Sequence, residues 1–383
     1  MNKKKLLSVA AIVTVIIVLA AIAAAICHTM LVNDTGDLSL QLEWALASSA
    51  KSYSLMDVLY RLAWFLYPEG KSIIGVIVLF VIAGLVVSAV FIKEWIPDFG
   101  WGASFVIAFL AYLMNPVFCA PWNHAFASGV QPAGVWHNPT YLGIKFILPL
   151  ALLFLLRIFR EKGAFWGNII GLGIACTLGT AIKPNFTMCF EVTLGICALI
   201  WLVRGRGKEW WKPIGLLVST VPSACILLYQ YRVNYTGINS DSGNAIAPFF
   251  ILKMYADQPF LAVVQSIAFW VFVFCFLRKT AWKEPIYRFM FWTTLTAYLE
   301  YLFLTEIGSR QVHANWSWGA DLCNYGMFLL SLPLFLRYFS CALREKKKAG
   351  IVAGVAGMGL LFWHLISSAA YIGLFLWSKT AWI

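Results

Sequence analysis

The residues best suited to chemistry follow the first long apolar run, in the stretch Asn33-Asp34-Thr35-Gly36-Asp37. An ionised aspartate within hydrogen-bond reach of a hydroxyl group can accept its proton, so either carboxylate could act as a general base. Asp34 is the predicted base, and Asp37 is predicted to orient it or to bind hydroxyl groups. The alternative is that one of the two carboxylates only caps the helix that follows.

A second set of candidates lies in later polar segments and combines cations, amides and aromatic rings. Arginine can hold a phosphate through two parallel hydrogen bonds, and lysine offers a compact point charge. A tryptophan face can stack on a sugar ring, or it can belong to the aromatic belt of a membrane protein. The predicted substrate-binding residues are His137, Asn138, Lys183, Arg310, His313, Asn315, Trp316 and Trp318.

Two of these cations could instead pair with a carboxylate of the protein itself and bind no ligand. Arg310 stands one helical turn after Glu306, and the two could form an ion pair without any ligand. Lys183 stands in the short polar tip between two apolar runs, and Glu191 follows within the second run. Ionisable residues at that depth are costly and are usually functional or paired, so a structural pair of Lys183 with Glu191 stays open.

Nothing in the sequence specifies a metal or a nucleotide. Four of the five histidines fall in the polar segments on one predicted side, namely His28, His124, His137 and His313. However, there is no H-E-x-x-H pattern, no glycine-rich phosphate loop and no G-x-S-x-G elbow. The sequence predicts no cofactor and no metal ligand, and it leaves open a divalent metal beside Asp34 and Asp37.

The composition places these residues in a membrane protein. Hydrophobic residues make up 61% of the chain, charged residues only 12%, and the mean hydropathy is +0.78. Such values lie far outside the range of water-soluble domains. The nine cysteines contain no C-x-x-C pair, and most stand inside apolar runs, which is typical of small buried side chains.

Apolar runs long enough to span a bilayer recur about eleven times, which predicts an all-α, polytopic membrane helix bundle forming one integral domain over residues 1–383. The predicted spans are 6–27, 73–92, 101–114, 141–158, 165–182, 186–203, 214–231, 260–277, 289–305, 320–339 and 349–376. With alternating spans, most of the 29 basic residues fall on the side of Lys3, Lys4 and Lys5. The positive-inside rule then predicts a cytoplasmic N-terminus and an outside C-terminus. The net charge of +12 therefore reflects topology, and no nucleic-acid partner is predicted.

The predicted outer loops contain the candidate residues. These loops cover residues 28–72, 115–140, 232–259 and 306–320. In the first of them, a short helix over 37–47 and an amphipathic helix over 54–67 are expected to lie in the membrane interface. Ser54, three residues before Asp57, predicts a capping box at the start of the second helix.

This organisation resembles the GT-C-type glycosyltransferases, which are membrane enzymes that use polyprenyl-phosphate sugars. In that class the loop after the first span carries the catalytic acidic residue and is followed by interfacial helices, and the matching position here is Asp34. Trp136-His137-Asn138-Pro139-Thr140 is similar to a stretch in bacterial membrane proteins associated with surface polysaccharides. The chain is short for the class and lacks a sizeable soluble outer domain, which favours a lipid-linked glycan over a protein as acceptor.

The resemblance implies an enzyme of the bacterial plasma membrane, in contact with membrane lipids. This enzyme would transfer a sugar from a polyprenyl-phosphate donor to a glycan or lipid acceptor of the cell envelope. Two other classes stay open. An O-antigen ligase or polymerase would be centred on Arg310 and His313, with Asp34 peripheral. A flippase or transporter would use the same cations and aromatic rings to bind a lipid-linked sugar without changing it.

Overall fold

The computed structural model describes residues 3–47, 53–123, 136–206, 208–238 and 241–379. Within these ranges the chain is an all-α bundle, and nine helical segments are long and apolar enough to cross a membrane. This architecture confirms the prediction of an integral membrane helix bundle.

Most of the helices are joined by short connections, and the longest interval between two of them is 114–138. The first half of the chain contains α1 (Lys3–Asn33), α2 (Leu38–Ala47), α3 (Leu55–Leu66), α4 (Gly70–Trp95), α5 (Trp101–Leu113), α6 (Pro139–Ile144), α7 (Ile147–Phe159), α8 (Phe165–Ile182) and α9 (Pro184–Arg204). The second half contains α10 (Trp211–Ser219), α11 (Val221–Val233), α12 (Phe250–Tyr255), α13 (Pro259–Ala281), α14 (Pro285–Phe303), α15 (Ser317–Arg344) and α16 (Lys348–Ser378).

Two of the eleven predicted spans differ from the other nine. Helix α5 has only 13 residues, or about 20 Å of rise, which is short of a hydrocarbon core of about 30 Å. Helix α14 has 19 residues, but polar residues such as Arg288 and Glu300 keep it outside the group of strongly apolar helices. The predicted number of eleven spans included every apolar run. Among the described residues, nine segments have both the length and the hydropathy that a membrane span needs.

One end of the bundle collects the basic segments, and we call it the basic end. Glu94 at the end of α4 accepts hydrogen bonds from Arg157 of α7, at 2.8 and 3.0 Å, and lies 3.2 Å from Lys162. Arg337 of α15 lies 3.0 Å from Asp98 in the connection after α4. These ion pairs join segments that the charge pattern placed on a common side.

The opposite end, which we call the polar end, carries the short helices and a small sheet. Helices α2 and α3 occupy the two places where interfacial helices are expected. Residues 232–259, one of the predicted outer loops, contain a π-helical turn (Asn234–Ile238), strand β1 (Gly243–Ile246) and helix α12. Strand β1 pairs in antiparallel fashion with β2 (Leu304–Ile307), and a 3₁₀ helix (Gly308–His313) leads into α15. The sheet therefore ties two of the predicted site loops together.

Ser54 caps α3 as the sequence predicts. Its Oγ accepts a hydrogen bond from the Met56 N–H at 3.2 Å and donates to the Ile182 carbonyl at 3.2 Å, at the end of α8. The cap therefore also docks α3 on the bundle.

Replacing Ser54 with alanine should lower the stability of the purified protein by about 1 kcal/mol, because a helix cap and a buried hydrogen bond are lost together. Thermal unfolding in detergent measures this change. Ser72→Ala is the matched control, since the Ser72 hydroxyl makes only an exposed hydrogen bond to the nearby Glu69 carbonyl. Equal melting temperatures for the two variants would contradict the docking role.

Candidate functional site

The turn after α1 brings Asp37 to the segment before α6. Asp34 has a left-handed φ of 50° and Gly36 a φ of 72°, which together reverse the chain. The Asp37 N–H then donates to the His137 carbonyl at 3.0 Å, and its carboxylate accepts from Asn138 Nδ2 at 2.5 Å. Asp37 is thus held by residues about a hundred positions away in the chain.

Asn138 connects Asp37 with the start of α6. It is the N-cap of this helix, and its Oδ1 accepts hydrogen bonds from the Tyr141 N–H at 2.8 Å and from Thr140 Oγ1 at 2.7 Å. Both ends of the amide are used, so the side chain has a single orientation. The Asp37 carboxylate bonds to Asn138 and makes no hydrogen bond to the first turn of α2. The alternative that the Asp37 side chain only caps this helix is therefore wrong.

Lys183 lies in the break between α8 and α9, close to Asn138. Its Nζ donates to Thr140 Oγ1 at 3.3 Å and lies 4.1 Å from the centre of the Trp318 ring. Burial lowers the pKa of Lys183 to about 8, against the opposing effect of the Asp37 and Asp321 carboxylates. Within the described ranges no carboxylate forms an ion pair with it, so most of its N–H capacity is unused.

Aromatic rings surround this ammonium group. Trp318 is half-buried, and its ring centre lies 5.9 Å from those of His137 and Tyr141. Burial lowers the pKa of His137, Asp37 raises it, and Lys183 lowers it further. A neutral His137 imidazole beside a charged Lys183 avoids a repulsion between two buried cations.

Asp321 is the second carboxylate near Lys183. It lies one helical turn after Trp318 in α15, is 3% exposed, and its Oδ1 has no hydrogen-bond partner among the described residues. We call Asp37, His137, Asn138, Thr140, Lys183, Trp318 and Asp321 the Lys183 cluster.

A separate network, the Glu306 cluster, lies beside it. Glu306 is 3% exposed and accepts hydrogen bonds from Tyr235 at 2.5 Å, from Arg310 Nε at 2.8 Å and from Asn315 Nδ2. Asn185, two residues after Lys183, donates to the Asn315 carbonyl at 2.7 Å and so links the two clusters. The ion pair considered for Arg310 is formed, and it neutralises this guanidinium.

Three of the predicted site residues lie outside both clusters. Asp34 and His313 are exposed, and neither side chain has a hydrogen bond or ion pair to another described residue. Trp316 donates from Nε1 to Asn244 at 3.2 Å and so supports the small sheet. His124 falls outside the described residues, as do parts of the predicted loops 28–72, 115–140 and 232–259.

Two other expectations can be compared with the structure. Lys183 forms no ion pair with Glu191, whose carboxylate accepts a hydrogen bond from Ser223 of α11. Among the described residues, no group of three or more histidine, cysteine, aspartate and glutamate side chains is arranged to hold a metal ion.

Sequence reasoning assigned no role to Asp321 or Lys145. Asp321 stood in the polar aromatic stretch with Trp318, and its separation of three residues from Trp318 was the available signal. Lys145 interrupts an apolar run between Ile144 and Phe146, which by itself marks an unusual buried charge.

Gly36 is needed both for its left-handed φ and for its surroundings. An added Cβ would lie 2.9 Å from Met30 Sδ and 3.1 Å from the His137 carbonyl oxygen. Gly36→Ala should therefore destabilise the protein by roughly 1–3 kcal/mol in thermal unfolding. Gly75→Ala in α4 is the control, because a Cβ added there would meet no atom within 4 Å and the melting temperature should be unchanged or higher. Similar losses in both variants would contradict this explanation.

Lys183 should react with an amine-modifying reagent with a midpoint near pH 8, because only the neutral amine is nucleophilic and its pKa is lowered to about 8. Asp37→Asn should move this midpoint to lower pH, since it removes a charge that raises the Lys183 pKa. Asp34→Asn should leave it unchanged. Mass spectrometry of the modified peptide gives the profiles, and a midpoint unaffected by Asp37→Asn would contradict the proposed proximity.

In comparisons with known proteins, no family model matches the chain, and no curated protein shows significant sequence similarity to it.

Proposed function

We propose that the Lys183 cluster transfers a sugar from a polyprenyl-phosphate donor to a glycan or lipid acceptor at the outer face of a bacterial plasma membrane. The observation that carries this proposal is the small number of bonding partners of the Lys183 ammonium group. Its ammonium group has one long hydrogen bond and an aromatic neighbour but no ion pair among the described residues. It therefore keeps N–H donors for a phosphate oxygen.

The surroundings of Lys183 support a phosphate ligand. Lys183 directly precedes α9, and the partial positive charge of a helix N-terminus favours anions. Arg310 is the other predicted cation that could hold a phosphate, but Glu306 already neutralises it. In the proposal, Lys183 binds the phosphate and Arg310 keeps the adjacent loop in place.

Trp318 suits the sugar. Its ring is half-buried beside Lys183, and a sugar next to the phosphate would meet it. Asp321, with one unpartnered carboxylate oxygen among the described residues, can accept a hydrogen bond from a sugar hydroxyl group. The cluster therefore offers one group for each part of the donor.

Asp37 is the proposed general base, in place of Asp34. Its Oδ2 is held by Asn138, while Oδ1 has no hydrogen-bond partner among the described residues. The acceptor oxygen attacks the anomeric carbon and transfers its proton to Asp37 as the new C–O bond forms. The bond from the anomeric carbon to the phosphate oxygen breaks, its electron pair stays on the phosphate, and Lys183 stabilises the added charge. The configuration at the anomeric carbon is inverted.

Asp37→Asn should lower sugar transfer by about 100-fold or more, which is the usual contribution of a general base. Asp34→Asn is matched in chemistry and should stay within about threefold of the parent rate, because Asp34 is exposed and lies outside the cluster. The assay uses proteoliposomes with a radiolabelled polyprenyl-phosphate hexose and a lipid-linked glycan acceptor.

Other outcomes of this assay would support different classes. Loss of transfer only in Asp34→Asn would identify Asp34, and not Asp37, as the general base. Loss only in Arg310→Ala or His313→Ala would favour a ligase or polymerase centred on those residues. Movement of the intact labelled lipid across a sealed membrane, with no new covalent product, would favour a flippase or transporter.

A further inference from the structure

Lys145 is a fully buried cation that the proposed reaction does not use. It stands between α6 and α7, is 0% exposed, and donates from Nζ to the Tyr112 carbonyl at 3.1 Å. Tyr112 is the penultimate residue of α5, so the ammonium group caps the end of this short helix. A helix C-terminus carries partial negative charge, which a cation neutralises.

The end of α5 is a break inside the bundle. After Leu113 the chain is extended, and its backbone bonds to neighbouring helices. Val117 exchanges hydrogen bonds with Gln265 of α13, at 3.0 Å from its N–H and 2.9 Å to its carbonyl. The Phe118 N–H donates to Ser367 Oγ of α16 at 2.9 Å. Irregular backbone at membrane depth requires such protein partners.

Aromatic rings from three further elements enclose the same ammonium group. Its Nζ lies 4.1 Å from the ring centre of Tyr112, 4.8 Å from Tyr325, 5.6 Å from Tyr141 and 5.9 Å from Trp136. Tyr325 is itself fixed by a 2.7 Å hydrogen bond with Ser88 of α4. The titratable groups facing Lys145 are thus three tyrosines, and no described carboxylate forms an ion pair with it.

Ring faces and a helix-end carbonyl attract an ammonium group, and their attraction increases where water is excluded. The same burial makes the charge costly. The Lys145 side chain therefore joins the end of α5 to the rings around it through one hydrogen bond and close contact with ring faces.

Two of the enclosing residues also belong to the walls of the Lys183 cluster. Trp136 directly precedes His137 and Asn138, and the Tyr141 ring contacts Trp318 at 5.9 Å. We propose that Lys145 is a positioning residue that acts as a latch: its side chain holds the end of α5 and, through Trp136 and Tyr141, the segment that carries Asn138. The proposal stands on this geometry and holds whatever reaction the Lys183 cluster performs.

Hydrogen exchange of the full-length protein in nanodiscs tests the latch. In Lys145→Met, peptides covering 109–120 and 136–143 should exchange about tenfold faster, or more, than in the parent protein. The melting temperature should be unchanged or higher, because the cost of a buried charge is removed. Lys348→Met, which removes an exposed lysine at the start of α16, should match the parent in both measurements.

Unchanged exchange of both peptides in Lys145→Met would overturn the latch. So would uniform acceleration of exchange throughout Lys145→Met with a lower melting temperature, because that pattern indicates general destabilisation.

A pair of tyrosine variants keeps the test decisive if Lys145→Met does not fold. Tyr325→Leu removes one ring face and should accelerate exchange in the same two peptides. Tyr325→Phe keeps the face, loses only the bond to Ser88, and should resemble the parent. Equal exchange in the two variants would contradict an aromatic hold on Lys145.

Discussion

Three ionisable side chains, those of Glu306, Lys145 and Lys183, lie where water has little access, and the way each is compensated organises this part of the molecule. Glu306 receives three hydrogen bonds, one of them from Arg310, so both charges are satisfied internally. Lys145 is compensated by ring faces and a helix-end carbonyl. Lys183 has the least complete set of partners of the three among the described residues, and the proposed role in phosphate binding rests on this difference.

Helix breaks supply the geometry that makes these arrangements feasible. The turn at Asp34–Gly36, the extended residues after α5, the junction at Lys183 and the 3₁₀ helix before α15 each interrupt regular structure. A break frees backbone groups, which must then bond to side chains or to other segments. Here those bonds join distant parts of the chain, as between Asp37 and His137. The candidate site is therefore built where helices end.

The contrast between Asp34 and Asp37 illustrates what could not be predicted. Both are aspartates that follow the first span, so neither residue type nor position in the chain distinguishes them. The outward turn of Asp34 depends on the left-handed conformations at Asp34 and Gly36 and on the contact of Gly36 with His137. For Arg310 the spacing in the sequence allowed either a phosphate ligand or an ion pair with Glu306, and the structure shows that the ion pair forms.

The sequence by itself determined the membrane class, the all-α architecture, the extent of most spans and the segments that hold the polar residues, because hydropathy and charge are properties of local stretches of chain. Only the tertiary structure decided which of those residues meet, since Asp37, Asn138, Lys183 and Trp318 come from four separate segments. It also decided that Lys145 is enclosed by aromatic rings and that Asp321 lies buried near Lys183. Such relations depend on packing between helices, which no single stretch of sequence contains.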